Sequence, residues 1–160
     1  MKISWLSVLV IIALVIVVAV VGRHFSSMNR DWYEQLNKPP LQPPDWAFPV
    51  AWNLIFLLST ISLILIWNSQ PRTRLTYAIM VIAVINGLMN ISWSWLFFSK
   101  QLILPAIYDA GLICLSVIAI IIIAWRISKV ASLLFLPYAA WTLFATYLTW
   151  AIYTVNKVSQ

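Results

Sequence analysis

Charge is what this sequence has least of. Its 160 residues include ten Lys or Arg and four Asp or Glu, a charged share of 9% against 63% hydrophobic. A water-soluble domain carries about 25% charged residues, because its surface has to be solvated. That composition excludes an ordinary soluble globule and implies an integral membrane protein. The single cysteine, Cys114, excludes an intrachain disulfide and reads as filler in an apolar run. The single histidine, His24, leaves no usual ligand set for a metal. No GxxxxGK, HExxH, CxxC or GxSxG pattern occurs. Neither metal nor bound cofactor is expected. The net charge of +6 is spread in ones and twos beside apolar runs. Such residues anchor helix ends at headgroups rather than forming a nucleic-acid surface.

What is abundant is hydrocarbon. A bilayer core of about 30 Å needs roughly 20 helical residues. Five stretches meet that length, at about 3–22, 47–67, 75–98, 102–125 and 131–155. The first run is too long in its apolar part for a secretory signal and lacks a small-x-small cleavage site, so a retained helix is expected. The last four runs are joined by the short connectors "NSQPRTR", "SKQ" and "RISKV". Short connections place consecutive helices side by side and antiparallel. The expected architecture is an all-α membrane protein: one compact five-helix transmembrane domain over 1–160, with residues 23–46 across one end. Basic residues divide evenly between the two ends: Lys2, Arg72, Arg74, Arg126 and Lys129 against Arg23, Arg30, Lys38, Lys100 and Lys157. Asp31, Glu34 and Asp45 fall on the second side with the long loop, and the two short basic connectors on the first side favour a cytoplasmic N-terminus.

With ordinary catalytic groups missing, the informative residues are those costly in lipid. On the third span Asn86, Asn90, Trp93 and Phe97 share one helical stripe. Carboxamides facing lipid would go unsatisfied, so this stripe should face protein or a cavity. Tyr138, Trp141, Ala145 and Leu148 form a similar stripe on the fifth span, and Trp52, Phe56 and Ser59 on the second. Plain helix packing, with Asn90 as an interhelical hydrogen bond, accounts for such stripes equally well. Trp5, Trp32, Trp67, Trp125 and Trp150 sit at helix ends, as interfacial belts do. Trp52, Trp93, Trp95 and Trp141 lie deeper, where rigid π-surface could wall a flat apolar ligand.

Asp109 is the one acid well inside a predicted span and needs a partner or water; Lys100 or an indole N–H is in reach of its helix end. Ala83-x-x-x-Gly87 and Ala106-x-x-x-Ala110 permit close helix approach, within the bundle or between copies. Leu148, Tyr153 and Lys157 fit the loose pattern proposed for cholesterol contact, which many aromatic-belted helices ending in lysine would fit.

"WYEQLNKPPLQPPDW" at 32–46 interrupts the oil. Each proline fixes φ and pushes its predecessor towards extended geometry. "KPPLQPPDW" is therefore expected as stiff, non-helical chain, anchored by Trp32, Tyr33 and Trp46, forming a pre-ordered lid.

Three segments in this order, "WYEQLNKPPLQPPDWAFPVAW", "MNISWSWLFF" and "PYAAWTLFATYL", resemble the TspO/MBR family of tryptophan-rich sensory and translocator proteins. Leu41, Ser99 and Thr149 depart from the Trp, Gly and Asn usual there. The resemblance implies a five-helix, often homodimeric protein of a bacterial cell membrane, with a pocket beneath the first loop. It implies binding of porphyrins such as protoporphyrin IX and haem, or other flat hydrophobic molecules. The lining would comprise Tyr33, Trp52, Phe56, Asn90, Trp93, Trp141, Ala145 and Leu148. Two other readings are compatible: light-dependent oxidative porphyrin breakdown, with Trp52 and Trp141 as the reactive indoles, and facilitated movement of sterol or lipid or a structural role beside another membrane protein.

Overall fold

A computed structural model describes residues 4–69 and 71–157. Ile3, at the start of the first expected span, and Lys2 lie outside the described residues, as does Gln70 in the first short connector. Among the described residues there are helices and no strands, and five helices are long and apolar enough to cross a membrane. The elements are α1 (Trp5–Ser26), α2 (Arg30–Gln35), α3 (Ala47–Asn68), α4 (Arg74–Ser94, extended by a π turn, Trp95–Ser99), α5 (Ile103–Trp125), α6 (Lys129–Leu134) and α7 (Leu136–Lys157).

Proline and capping side chains set most of these boundaries. Pro49 and Pro105 sit in the first turns of α3 and α5, where a missing N–H costs nothing. The backbone N–H of Thr73 bonds the Thr76 hydroxyl at 3.3 Å as α4 begins, and Ser128 Oγ accepts from the Ala131 N–H as α6 begins. The fifth span divides at Phe135 because Pro137 cannot donate to the preceding turn. At the end of α4 the helix widens: the Lys100 N–H bonds the Trp95 carbonyl at 3.0 Å, five residues back. Gln101, at φ 56°, then turns the chain into α5.

α1 packs against α3 and α4; α4 packs against α5; α5 packs against α7; and α3 closes the ring through α6 and α7. The α4–α5–α7 side is tight, because Ala106, Ala110 and Ala124 let the backbones approach and are themselves buried. α1 is the loose member. Ile11 is its one buried residue, and Leu6, Leu9, Leu14, Val17 and Val20 face outward. The contact it does make is close: a Cβ on Gly87 of α4 would stand 2.9 Å from Val18 Cγ2. Gly87 is thus spent inside the chain.

The long connector differs from its expected form in its first half. α1 runs on to Ser26, and residues 30–35 form α2, held by an Arg30–Glu34 ion pair at 2.9 Å one turn apart. Asn29 supplies the left-handed corner between them at φ 51°. From Leu36 to Asp45 the chain is non-helical, as its four prolines dictate.

Two side-chain attachments hold this connector down over the bundle end, and a further bond braces it internally. Asn156 of α7 accepts from the Asn37 N–H at 3.0 Å through Oδ1 and donates to the Asn37 carbonyl at 3.0 Å through Nδ2. Asn29 Nδ2 donates to the Phe98 carbonyl at 3.0 Å, and Gln42 Nε2 donates to Tyr33 Oη at 2.6 Å. Burial pushes the Tyr33 phenol above the usual tyrosine value, opposed by the Gln42 bond. Asn156→Ala removes both bonds to Asn37. It is expected to raise amide exchange and proteolysis across residues 36–46 about thirtyfold while leaving the spans intact, since each of the two bonds is worth about 1 kcal/mol. Unchanged exchange in that segment would show that the prolines alone hold it.

Candidate functional site

The interior divides into two regions. Next to the connector it is filled with aromatic rings. Trp93 stacks on Phe97 (centroids 5.2 Å apart, 13° between planes), and Phe97 meets Phe98 edge-on at 4.9 Å. Tyr33 and Trp32 reach down from α2 to the same Phe97 at 6.2 and 5.7 Å. Leu148 and Ala106 complete this cluster from α7 and α5. Further round the ring, Trp141 meets Phe48 edge-on at 5.8 Å and Phe144 at 5.9 Å.

Away from the connector the bundle opens into a cavity of about 450 Å³ between α1, α3 and α4. Its walls are almost wholly apolar, and the polar side chains among its lining include Ser7, Asn86, Asn90 and Tyr138. The last three are buried and hydrogen-bonded together. Tyr138 Oη donates to Asn86 Oδ1 at 2.7 Å and accepts from Asn90 Nδ2 at 2.6 Å; Asn86 Nδ2 donates to Ser116 Oγ at 2.8 Å. One carboxamide pair thereby ties α4 to both α5 and α7. Among the described residues, the side-chain bonds of Asn90 all run through Nδ2.

Of the eight residues expected at the site, Phe56 and Asn90 line this cavity. Trp52 stands directly behind that wall, stacked on Phe56 at 5.6 Å and 6.1 Å from the Tyr138 ring. Tyr33, Trp93 and Leu148 belong to the aromatic region, with Trp141 beside Phe48. Ala145 is half-buried on α7, its carbonyl accepting from Thr149 Oγ1 at 2.7 Å. The three stripes read from spacing thus turn inward, but they occupy two adjoining regions. The buried indole nitrogens of Trp93 and Trp141 and the Ser59 hydroxyl have no hydrogen-bond partner among the described residues. Donors left unpaired in an apolar interior are costly, which makes them available to a guest with acceptor atoms.

Several participants escaped the sequence reading. Asn86 and Tyr138 carried a signal, standing on the stripes as polar groups at helical spacing. Val10, Leu14 and Val18 of α1 and Met80 of α4 carried none, because α1 is apolar on every face. Asp109 is buried and faces Ser92 of α4, not Lys100. Its Oδ2 has no hydrogen-bond partner among the described residues. Leu148 is buried while Lys157 lies over the Tyr153 ring at 5.6 Å, so the cholesterol-type triplet is not one exposed surface. Similar cation–ring contacts, Arg72 on Trp67, Lys100 on Trp95 and Lys129 on Trp125, mark both interfaces.

Five spanning helices around an apolar cavity define an integral, multi-pass membrane protein. The TspO/MBR family model matches residues 7–154, and the chain belongs to that family. It is 35% identical over 147 residues to the tryptophan-rich protein TspO of Archaeoglobus fulgidus, covering 89% of this chain and 92% of the relative. Over 146 residues it is 32% identical to the tryptophan-rich protein TspO of Chlorobaculum tepidum, covering 91% and 92%. The human translocator protein is 25% identical over 127 residues, covering 78% and 75%.

Proposed function

We propose that this protein is a receptor, sensor or carrier for porphyrins such as protoporphyrin IX or haem, and for similar flat apolar molecules, held in its tryptophan-rich interior. The observation that carries this reading is the cavity of about 450 Å³, apolar and walled by Phe56, which Trp52 backs, with the Asn90–Tyr138 pair set into it. That volume lies in the range of small-molecule pockets, and such pockets combine apolar walls with a few fixed polar groups. A planar macrocycle gains from offset stacking on rings, and its propionates or ring nitrogens need hydrogen-bonding groups. Tyr33, Trp93, Trp141, Ala145 and Leu148 enter as the layer beyond the wall, which gives way as the ligand seats. Likeness to bacterial relatives supports a bacterial cell membrane as its location. A homodimer would use the outer face of α4, at Val81, Ile85 and Leu88, since Gly87 already packs on α1.

Protoporphyrin IX titrated against tryptophan fluorescence tests this. Trp52→Phe combined with Trp141→Phe is expected to weaken binding about tenfold, at roughly 0.7 kcal/mol for each lost indole contact. An unchanged affinity and quenching profile would remove these residues from the site.

A further inference from the structure

The cavity is longer than the proposed ligand site requires. Along α1 it is lined from Leu6 to Val18, about 18 Å at 1.5 Å per residue. Its upper end holds Phe56, Asn90 and Tyr138; its lower end, at the membrane face remote from the connector, reaches Trp67. Much of its rim is open to the side. Leu6, Val10, Leu14 and Val17 on α1 and Val84 and Leu88 on α4 all line it and are all about half exposed or more. Being on spanning helices, they face hydrocarbon. The lower half is thus a slot between α1 and α4 into which a bilayer chain can lie without crossing any polar barrier.

The charge at the mouth specifies the rest of the occupant. Arg72 lies over the Trp67 ring at 4.5 Å, its Nε donating to the Trp67 carbonyl at 2.9 Å. Trp67 Nε1 is buried with no hydrogen-bond partner among the described residues. Arg74, Arg126 and Lys129 stand at the same end, and none of the four acids of the sequence does: Asp31, Glu34 and Asp45 belong to the connector, and Asp109 lies near the other end of α5. A membrane face with cations and no carboxylate attracts anionic headgroups.

From this geometry we infer that the lower half of the slot holds one acyl chain of an anionic phospholipid, its headgroup phosphate at Arg72. The site shares one cavity with the porphyrin reading but does not rest on it: it uses the opposite end and a different chemistry. A bound chain there supplies α1 with the packing that the protein itself does not give it.

Full-length protein in micelles containing equal phosphatidylglycerol and phosphatidylcholine, read by native mass spectrometry, tests the site. One retained phospholipid per chain is expected, with phosphatidylglycerol preferred about fivefold, the effect of a single near-surface cation. Arg72→Gln is expected to keep the lipid and abolish the preference. Ala83→Phe, which fills the slot from α4, is expected to lose the retained lipid. Equal retention of the two headgroups by the unmodified protein, or full retention in Ala83→Phe, overturns the inference. Should Ala83→Phe fail to fold, Arg72→Gln still decides, because an unaltered preference there overturns it. Protoporphyrin titrated in lipid-free micelles reads the other site separately, so either proposal can fail while the other stands.

Discussion

Gly87→Leu is expected to dislodge α1. The first atom of any side chain at this position would lie 2.9 Å from Val18 Cγ2, so a leucine has no room unless α1 moves away. Overpacking of this kind costs about 1–3 kcal/mol when the surroundings have to shift. α1 is the helix that yields, because Ile11 is its one buried residue whereas α5 buries eight. A spin-label pair spanning α1 and α4 should report a longer, broader distance, and the melting temperature should fall by several degrees. Val18→Ala in the same chain should restore much of both. A Gly87→Leu protein with native distances and stability would mean that the α1–α4 contact is looser than its geometry indicates.

Asn86→Leu should be comparably damaging for the opposite reason. Nothing clashes, but the hub of the polar network is gone. Tyr138 loses the acceptor for its hydroxyl proton, and Ser116 loses its donor on α4. A buried donor left unpaired costs about 1–3 kcal/mol in soluble proteins. Interhelical hydrogen bonds in membranes average nearer ~0.6 kcal/mol, because the unfolded reference also finds partners. Two interhelical links are cut at once, so a loss of about 1–3 kcal/mol is expected, read as a lower thermal midpoint in detergent. The control is a double-mutant cycle with Tyr138→Phe, which deletes the stranded hydroxyl. The combined variant should be less destabilised than the two single losses added together. Strict additivity would show that the hydroxyl and the carboxamide are not coupled.

How much of this was legible in advance depended on contrast within each helix. α4 could be oriented from sequence because Asn86 and Asn90 stand out against Val, Ile and Leu at four-residue spacing, and both are buried. α3 and α7 were readable for the same reason, through Trp52 and Ser59 and through Tyr138. α1 was not, since a helix apolar on every side has no stripe to read, and its eight or so cavity-lining residues went unseen. The prolines announced the extended half of the connector. The helical half, residues 30–35, carries only a weak mark, since one Arg30–Glu34 pair at four-residue spacing adds little to a helix. The break at Phe135 follows from Pro137. The π turn after Ser94 had no comparable mark, because a five-residue hydrogen bond leaves composition unchanged. Where the empty space would fall was the least legible of all: stripes show which residues turn inward, but only packing decides which are squeezed together and which leave a gap.

The central claim is that this gap receives a flat ligand against the Phe56–Trp52 wall. The most direct measurement is the structure of the protein with protoporphyrin IX bound. The macrocycle should lie inside the bundle, within van der Waals contact of Phe56, which Trp52 backs, and with a polar atom reaching the Asn90–Tyr138 pair. A macrocycle on the outer surface of the helices, with the cavity left unaltered, would contradict it.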